Sequence, residues 1–135
     1  YTDAAWVQQV RDATNGTGAR IIFDPVGGDV GEASLRAIAR DGTILIVGFA
    51  SGRIQGLAAN RLMLRRAAVR GVSWNYDQDG EMLSRCNRRI MGMLEKGQLA
   101  PEISVYSGLK ALPQAFDDIA ERRSTGKLVL DLEAG

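Results

Sequence analysis

The stretch TILIVGF, residues 43–49, is apolar at almost every position. A strand with one wet face alternates apolar and polar residues, whereas so uniform a run is the mark of a parallel strand covered on both faces. Parallel strands cannot be joined by a tight hairpin; they need a crossover, usually a helix. This stretch therefore calls for helices on either side, and the chain provides them. Before it, Thr2 can cap a helix opening at Asp3, with Ala4, Ala5, Val7, Val10 and Ala13 as its apolar stripe and NGTG (15–18) as its stop. ARIIFD (19–24) reads as a short buried strand. Asp29 is the expected N-cap of the next helix, with Glu32 three residues on as an aspartate form of the capping box. Leu35, Ala37 and Ile38 form its apolar face, and Asp41-Gly42 its end.

After it, ASGRIQG is a loop, LAANRLMLRRA is helical, and VRGVSWNY (69–76) is a further strand. A longer helix is expected from about Gly80 to Lys96, closed by Gly97. EISVYS (102–107) is a short strand. Leu112, Ala115, Phe116, Ile119 and Ala120 repeat with helical spacing behind Pro113, which is tolerated in a first turn. GKLVLDL (126–132) is the last strand. Helices and strands alternate five times, which predicts an α/β fold with a parallel sheet.

Totals narrow the function classes. A length of 135 residues is about one domain. The net charge of +1 shows no bulk excess that would draw nucleic acid or an anionic membrane. Histidine is absent and Cys86 is the only cysteine, so the usual nitrogen and sulfur ligand sets for zinc cannot be built from this chain and no metal site is expected. A single cysteine also excludes an intrachain disulfide and fits a reducing compartment such as the cytoplasm. No apolar run approaches the ~20 residues that span a bilayer, and no signal peptide is visible. The chain opens on Tyr1 without a methionine, as a processed, cleaved or excised piece would.

The chemistry is expected at strand ends. In open α/β sheets ligands bind outside the carboxyl ends of the strands. DPVGG (24–28) sits at one such end. Pro25 biases Asp24 towards an extended conformation, and Gly27 and Gly28 let a ligand or another backbone approach closely. A tight strand-to-helix turn accounts for the same residues. VGFASG (47–52) repeats the pattern at the next strand, with Gly48 inside the strand end and Ser51-Gly52 just past it. Two such ends side by side make one rim. GTGARI (16–21) imitates the dinucleotide glycine fingerprint but has Ile21 at the third glycine and precedes a strand, so it is a false match.

Taken in order, ARIIFDPVGGDVGEASLRAIARDGTILIVGFASGRI, AANRLMLRRAAVRGVSW and LPQAFDDIAERRSTGKLVLDL closely resemble the zinc-independent quinone oxidoreductase branch of the medium-chain dehydrogenase/reductase superfamily. The resemblance covers essentially the whole chain. It implies the second half of a Rossmann-type doubly wound parallel sheet plus a C-terminal segment, with residues 1–135 as part of a nucleotide-binding domain and 108–135 returning to a catalytic domain. A full member also has a GroES-like catalytic domain and the glycine fingerprint, so this chain's resemblance begins after both. The implied activity is hydride transfer from NADPH to a quinone or another activated alkene or carbonyl. The implied cofactor contacts are Tyr1 near the adenosine 2′-phosphate, Pro25 and Val26 along the cofactor, Gly48, Phe49, Ala50 and Ser51 at the nicotinamide through backbone groups, and Arg123 at the phosphates, with Arg122 as its rival. Catalytic residues are not assigned. Family members commonly pair as homodimers, here through the edge strand 102–107. Two other readings stay open: a non-catalytic dimerisation module, and part of an enoyl reductase of the same superfamily.

Overall fold

A computed structural model describes residues 3–133. The chain divides into two compact units, one ending at Asn75 and the other starting at Tyr76.

The first unit runs α1 (Trp6–Ala13), β1 (Ala19–Asp24), α2 (Gly28–Ala37), β2 (Ile38–Ile46), α3 (Ala59–Arg65) and β3 (Ala68–Gly71). Its strands lie in the order β1-β2-β3, all parallel, with Ile22 opposite Ile44 and Ile44 opposite Val69. Leu35 of α2, Ile38 and Ile44 are buried, and Ile22, Leu57, Leu62 and Ala67 pack against them. Full burial of each such aliphatic side chain is worth about 1.5–3 kcal/mol. On the opposite face of β1, Ile21 and Phe23 are 67% and 65% exposed. The burial expected of the strand ARIIFD is thus present on one face of β1 and missing on the other.

Three element boundaries differ from expectation. The first helix starts at Trp6, not Asp3, because the Asp3 carboxylate accepts the Ala5 amide at 2.8 Å and makes its own turn first; Thr2 lies outside the described residues. The second helix stops at Ala37 and the chain passes straight into β2, where Ile38 pairs with Ala19 before the register shifts so that Thr43 faces Ile21. Ile38 is fully buried in that extended position, and burial there outweighs its place in the helical repeat. The third strand ends at Gly71 and α4 begins at Tyr76, four residues before the expected Gly80.

The second unit holds α4 (Tyr76–Glu95), β4 (Ile103–Ser107), a short 3-10 turn (Leu109–Ala111), α5 (Leu112–Ala120) and β5 (Lys127–Asp131). Gly97, at φ +65°, closes α4 as expected, and the Gln98 amide donates to the Met93 carbonyl at 2.8 Å. Strands β4 and β5 form a separate parallel pair with Val105 opposite Val129. Among the described residues the strands form a parallel three and a parallel two, in keeping with the expected α/β fold with parallel strands.

Candidate functional site

Strands β1 and β2 end side by side, and their loops continue the parallel pairing beyond the sheet. The Val47 amide donates to the Asp24 carbonyl at 2.9 Å, Ala50 to Pro25 at 3.0 Å and Ser51 to Val26 at 2.9 Å. Pro25 has no amide to give, so this alignment uses only its carbonyl.

The acid at the end of β1 explains the turn that follows. Asp24 is buried, and its Oδ1 accepts the amides of Val26 and Gly27, both at 2.9 Å. Its Oδ2 accepts the Gln55 side-chain amide at 3.4 Å. The carboxylate therefore folds back over Pro25 and holds the loop as an Asx turn while reaching the far end of the second loop. Gly27 is the N-cap of α2 at φ +69°, where a Cβ would lie 2.9 Å from the Arg53 carbonyl oxygen and from Gln55 Oε1. A Cβ on Gly48 would lie 3.2 Å from the Pro25 carbonyl oxygen. At both glycines the close approach is made by the chain's own other loop. Of the two explanations offered for these glycines, close backbone packing is the one this geometry fills.

The expected capping box does not form. Gly27 takes the N-cap position in place of Asp29, and no side chain caps the helix. Asp29 and Glu32 instead pair with Arg53, the latter at 3.2 Å, and Glu32 also accepts the Gly56 amide at 3.1 Å. Arg53 stands in the second loop, so these contacts clamp that loop to α2. Asp24, Gln55 and Arg53 escaped the sequence reading as side-chain partners. An aspartate directly before proline with free amides two and three residues on was the available signal for the first; nothing local marks the other two.

The rim gathers Pro25, Val26, Gly48, Phe49, Ala50 and Ser51. Pro25, Ala50 and Ser51 are exposed, Val26 and Gly48 are half-buried, and Phe49 is 43% exposed. The amides of Gly48, Ala50 and Ser51 already have acceptors, while among the described residues the Phe49 amide has none. Tyr1 lies outside the described residues. Arg123 belongs to the second unit, where it pairs with Asp118 at 2.8 Å and with Glu121. Its rival Arg122 follows α5 at φ +56°. Tyr106 OH donates to the other oxygen of Asp118 at 2.5 Å. That bond, and then the Arg123 guanidinium, hold the Asp118 carboxyl below its ordinary range, and the same bond pushes the Tyr106 phenol up. Cys86 is free and exposed, and among the described residues no three His, Cys, Asp or Glu side chains gather as a metal site.

Comparison with known proteins identifies the family. Residues 1–130 match the family described as zinc-binding dehydrogenase. The quinone oxidoreductase-like protein 2 homolog of Nematostella vectensis is 36% identical over 134 residues, covering 97% of this chain and 37% of that protein. The quinone oxidoreductase of Pseudomonas syringae pv. Tomato superimposes with a TM-score of 0.77 at 26% identity, covering 96% of this chain and 41% of the other. A mycobacterial protein solved in complex with NADPH gives the same TM-score and identity over 96% of this chain and 42% of its own. The chain thus spans about two fifths of the relatives' length. By family match and by identity, the chain belongs to the zinc-binding dehydrogenases, with quinone oxidoreductase-like relatives of the medium-chain dehydrogenase/reductase superfamily and a Rossmann-type α/β fold.

Proposed function

We propose that this chain provides the nicotinamide-side rim and C-terminal segment of an NADPH-dependent reductase acting on a quinone or another activated alkene or carbonyl. The observation that carries the reading is the pair of interlocked loops at the carboxyl ends of β1 and β2, whose outer side presents small residues and a half-exposed Phe49. These residues fit a flat ring. Pro25, Val26, Gly48, Ala50 and Ser51 set no bulky side chain in its way, and the Phe49 amide is free to donate to a carboxamide. The bound nicotinamide supplies the hydride, and the protein orients it. Tyr1 would stand near the adenosine 2′-phosphate. Arg123 would reach the phosphates only by loosening its pairs with Asp118 and Glu121. Residues 1–135 are assigned to the nucleotide-binding domain, with 108–135 returning towards a catalytic domain.

Zinc does not fit this chain. It has no histidine and one exposed cysteine, a donor supply that cannot hold the metal and that supports the zinc-independent branch. Among the described residues no helix is long and apolar enough to cross a membrane. The free cysteine suits the reducing cytoplasm.

The chain carries no glycine-rich pyrophosphate turn, the strongest electrostatic contact of a dinucleotide fold. Calorimetric titration of the 135 residues with NADPH should therefore show weak binding or none, and sub-micromolar affinity overturns this division of labour. A protein joining this chain to the remaining length of its relatives should oxidise NADPH when a quinone is added. Turnover of enoyl substrates alone would favour the enoyl reductase, and no cofactor binding at all would favour the dimerisation module. Elemental analysis of the dialysed chain should find no stoichiometric zinc.

A further inference from the structure

We propose that the groove between α1, α2 and α3 is a binding site for a small molecule that carries a pyrophosphate group and an apolar part. Two adjoining hollows of about 590 and 420 Å³ share Leu35, Arg36 and Arg61. That is the size range of small-ligand sites, roughly 300–1,000 Å³. Arg11, Arg36, Arg61 and Arg65 line the larger hollow, with Leu35 and Leu64 among its apolar members, and no carboxylate lines it. None of the rim residues at the strand ends belongs to either hollow.

Three observations separate this groove from an ordinary solvated helix face. First, Arg11 is braced: its Nε donates to the Arg36 carbonyl at 3.1 Å and one terminal nitrogen donates to the Gly16 carbonyl at 3.0 Å. A guanidinium held by two carbonyls gives up less side-chain freedom when it takes an anion. Second, the two acids that border the smaller hollow, Asp29 and Glu32, are both held by Arg53, which offsets one of their two charges, and neither lines the larger hollow, so the diphosphate belongs in the larger one. Third, Arg36, Arg61 and Arg65 form no ion pair among the described residues. Four arginines thus line one hollow of a chain whose net charge is only +1. Planar guanidinium forks match phosphate oxygens two at a time, which favours a diphosphate over a single carboxylate. The leucines and the α1 alanines leave room for an apolar body beside the charge.

The test is calorimetric titration of the 135-residue chain with inorganic pyrophosphate, with ADP and with an acidic glutamate-rich peptide, at low salt. Pyrophosphate should bind weakly at one site, and ADP more tightly because its base adds apolar contact. NADPH, which carries the same diphosphate, should bind this groove no more tightly than ADP and short of sub-micromolar affinity, and should lose that binding when the arginine pair is replaced. Replacing Arg36→Ser and Arg61→Ser together should weaken all three by about tenfold or more. The Lys pair, Arg36→Lys with Arg61→Lys, should recover part of the loss, which separates charge from fold. Arg88→Ser with Arg89→Ser, in the basic hollow beside α4, should leave binding unchanged. Circular dichroism checks that each variant is folded. No binding of pyrophosphate or ADP, equal loss in the α4 variant, or binding of the acidic peptide alone would each overturn the proposal, the last pointing to an acidic protein partner.

Discussion

The Gln55 side chain donates to the buried Asp24 carboxylate across 3.4 Å, tying the far end of the second loop to the start of the first. The contact is lopsided. Asp24 also holds two backbone amides at 2.9 Å, whereas Gln55 Oε1 is buried without a partner among the described residues. A buried acceptor with three donors anchors its surroundings, while a buried orphan costs stability and adds nothing in return. Asp24→Ala should therefore destabilise the chain by about 2–4 kcal/mol, since it strands two amides. Asp24→Asn, which keeps one acceptor, should cost less. Gln55→Leu should be close to neutral, because it exchanges one long bond for removal of the orphan. Chemical denaturation of the three variants gives the order. If Gln55→Leu proves the most damaging, the carboxylate is not the hub.

Gly48 lies under the Pro25 carbonyl, where an added Cβ is tight at 3.2 Å but not overlapping. Gly48→Ala should be tolerated with a small shift of the loop. Gly48→Val adds bulk that the paired loops cannot absorb, and overpacking of this kind costs about 1–3 kcal/mol. In a protein that also carries the rest of the family's length, Gly48→Val should raise the KM for NADPH beyond any loss of stability. A fall in melting temperature with unchanged kinetics would confine Gly48 to loop packing. No change in either would remove the loop from the site.

The division between what is legible and what is not follows the range of the interactions. The strand Ala19–Asp24, the proline at the start of α5 and the glycine after α4 are written in neighbours a few residues apart, and the structure has them where expected. The wrong end of α2 is also instructive. Ile38 continues the helical apolar stripe, and only its pairing with Ala19, nineteen positions earlier in the chain, draws it into β2. At the candidate site, the strand-end position of both glycine-bearing loops could be read in advance. That the glycines chiefly admit the other loop could not, because Arg53 and Gln55 reach Asp29 and Asp24 across more than twenty residues of sequence. The same holds for Arg123: its spacing is visible, but its commitment to Asp118 depends on side-chain geometry.

Tyr106 and Asp118 should give the second unit two opposite pH limits. Asp118 has its pKa lowered, first by the Tyr106 hydrogen bond and then by Arg123. Its contribution is present above the unfolded carboxyl value, about 3.9, and is lost as pH falls through the lower folded value. Tyr106 has its pKa raised, chiefly by the same bond. Its contribution is complete below the unfolded phenol value, about 10, and is lost as pH rises towards the higher folded value. Melting temperature against pH should therefore fall off at both ends. Tyr106→Phe should remove this pair's share of the alkaline limb and part of its share of the acid limb, since Arg123 remains beside Asp118. An unchanged alkaline limb would show that the bond to Asp118 contributes nothing to folding.

Strand β4 should mediate a two-fold dimer. Among the described residues it pairs with β5 on one side only, so its other edge offers backbone donors and acceptors that a second chain can satisfy. Pairing of the edge with its own copy is self-complementary, as a closed dimer requires. Ile103 and Val105, 56% and 62% exposed, add apolar surface at that edge. Glu102 and Pro101, just before the strand, work against pairing by charge and by the missing amide. Light scattering of the chain at micromolar concentration should give the mass of a dimer, and a monomer there rejects the interface. Val105→Pro should disturb the pairing by removing the amide at the middle of the strand. Val105→Lys is the gentler variant, because it sets a charge against its twin across the two-fold axis and leaves every backbone donor in the β5 ladder. Retention of the dimer by both variants, with unchanged circular dichroism, would move the interface away from β4.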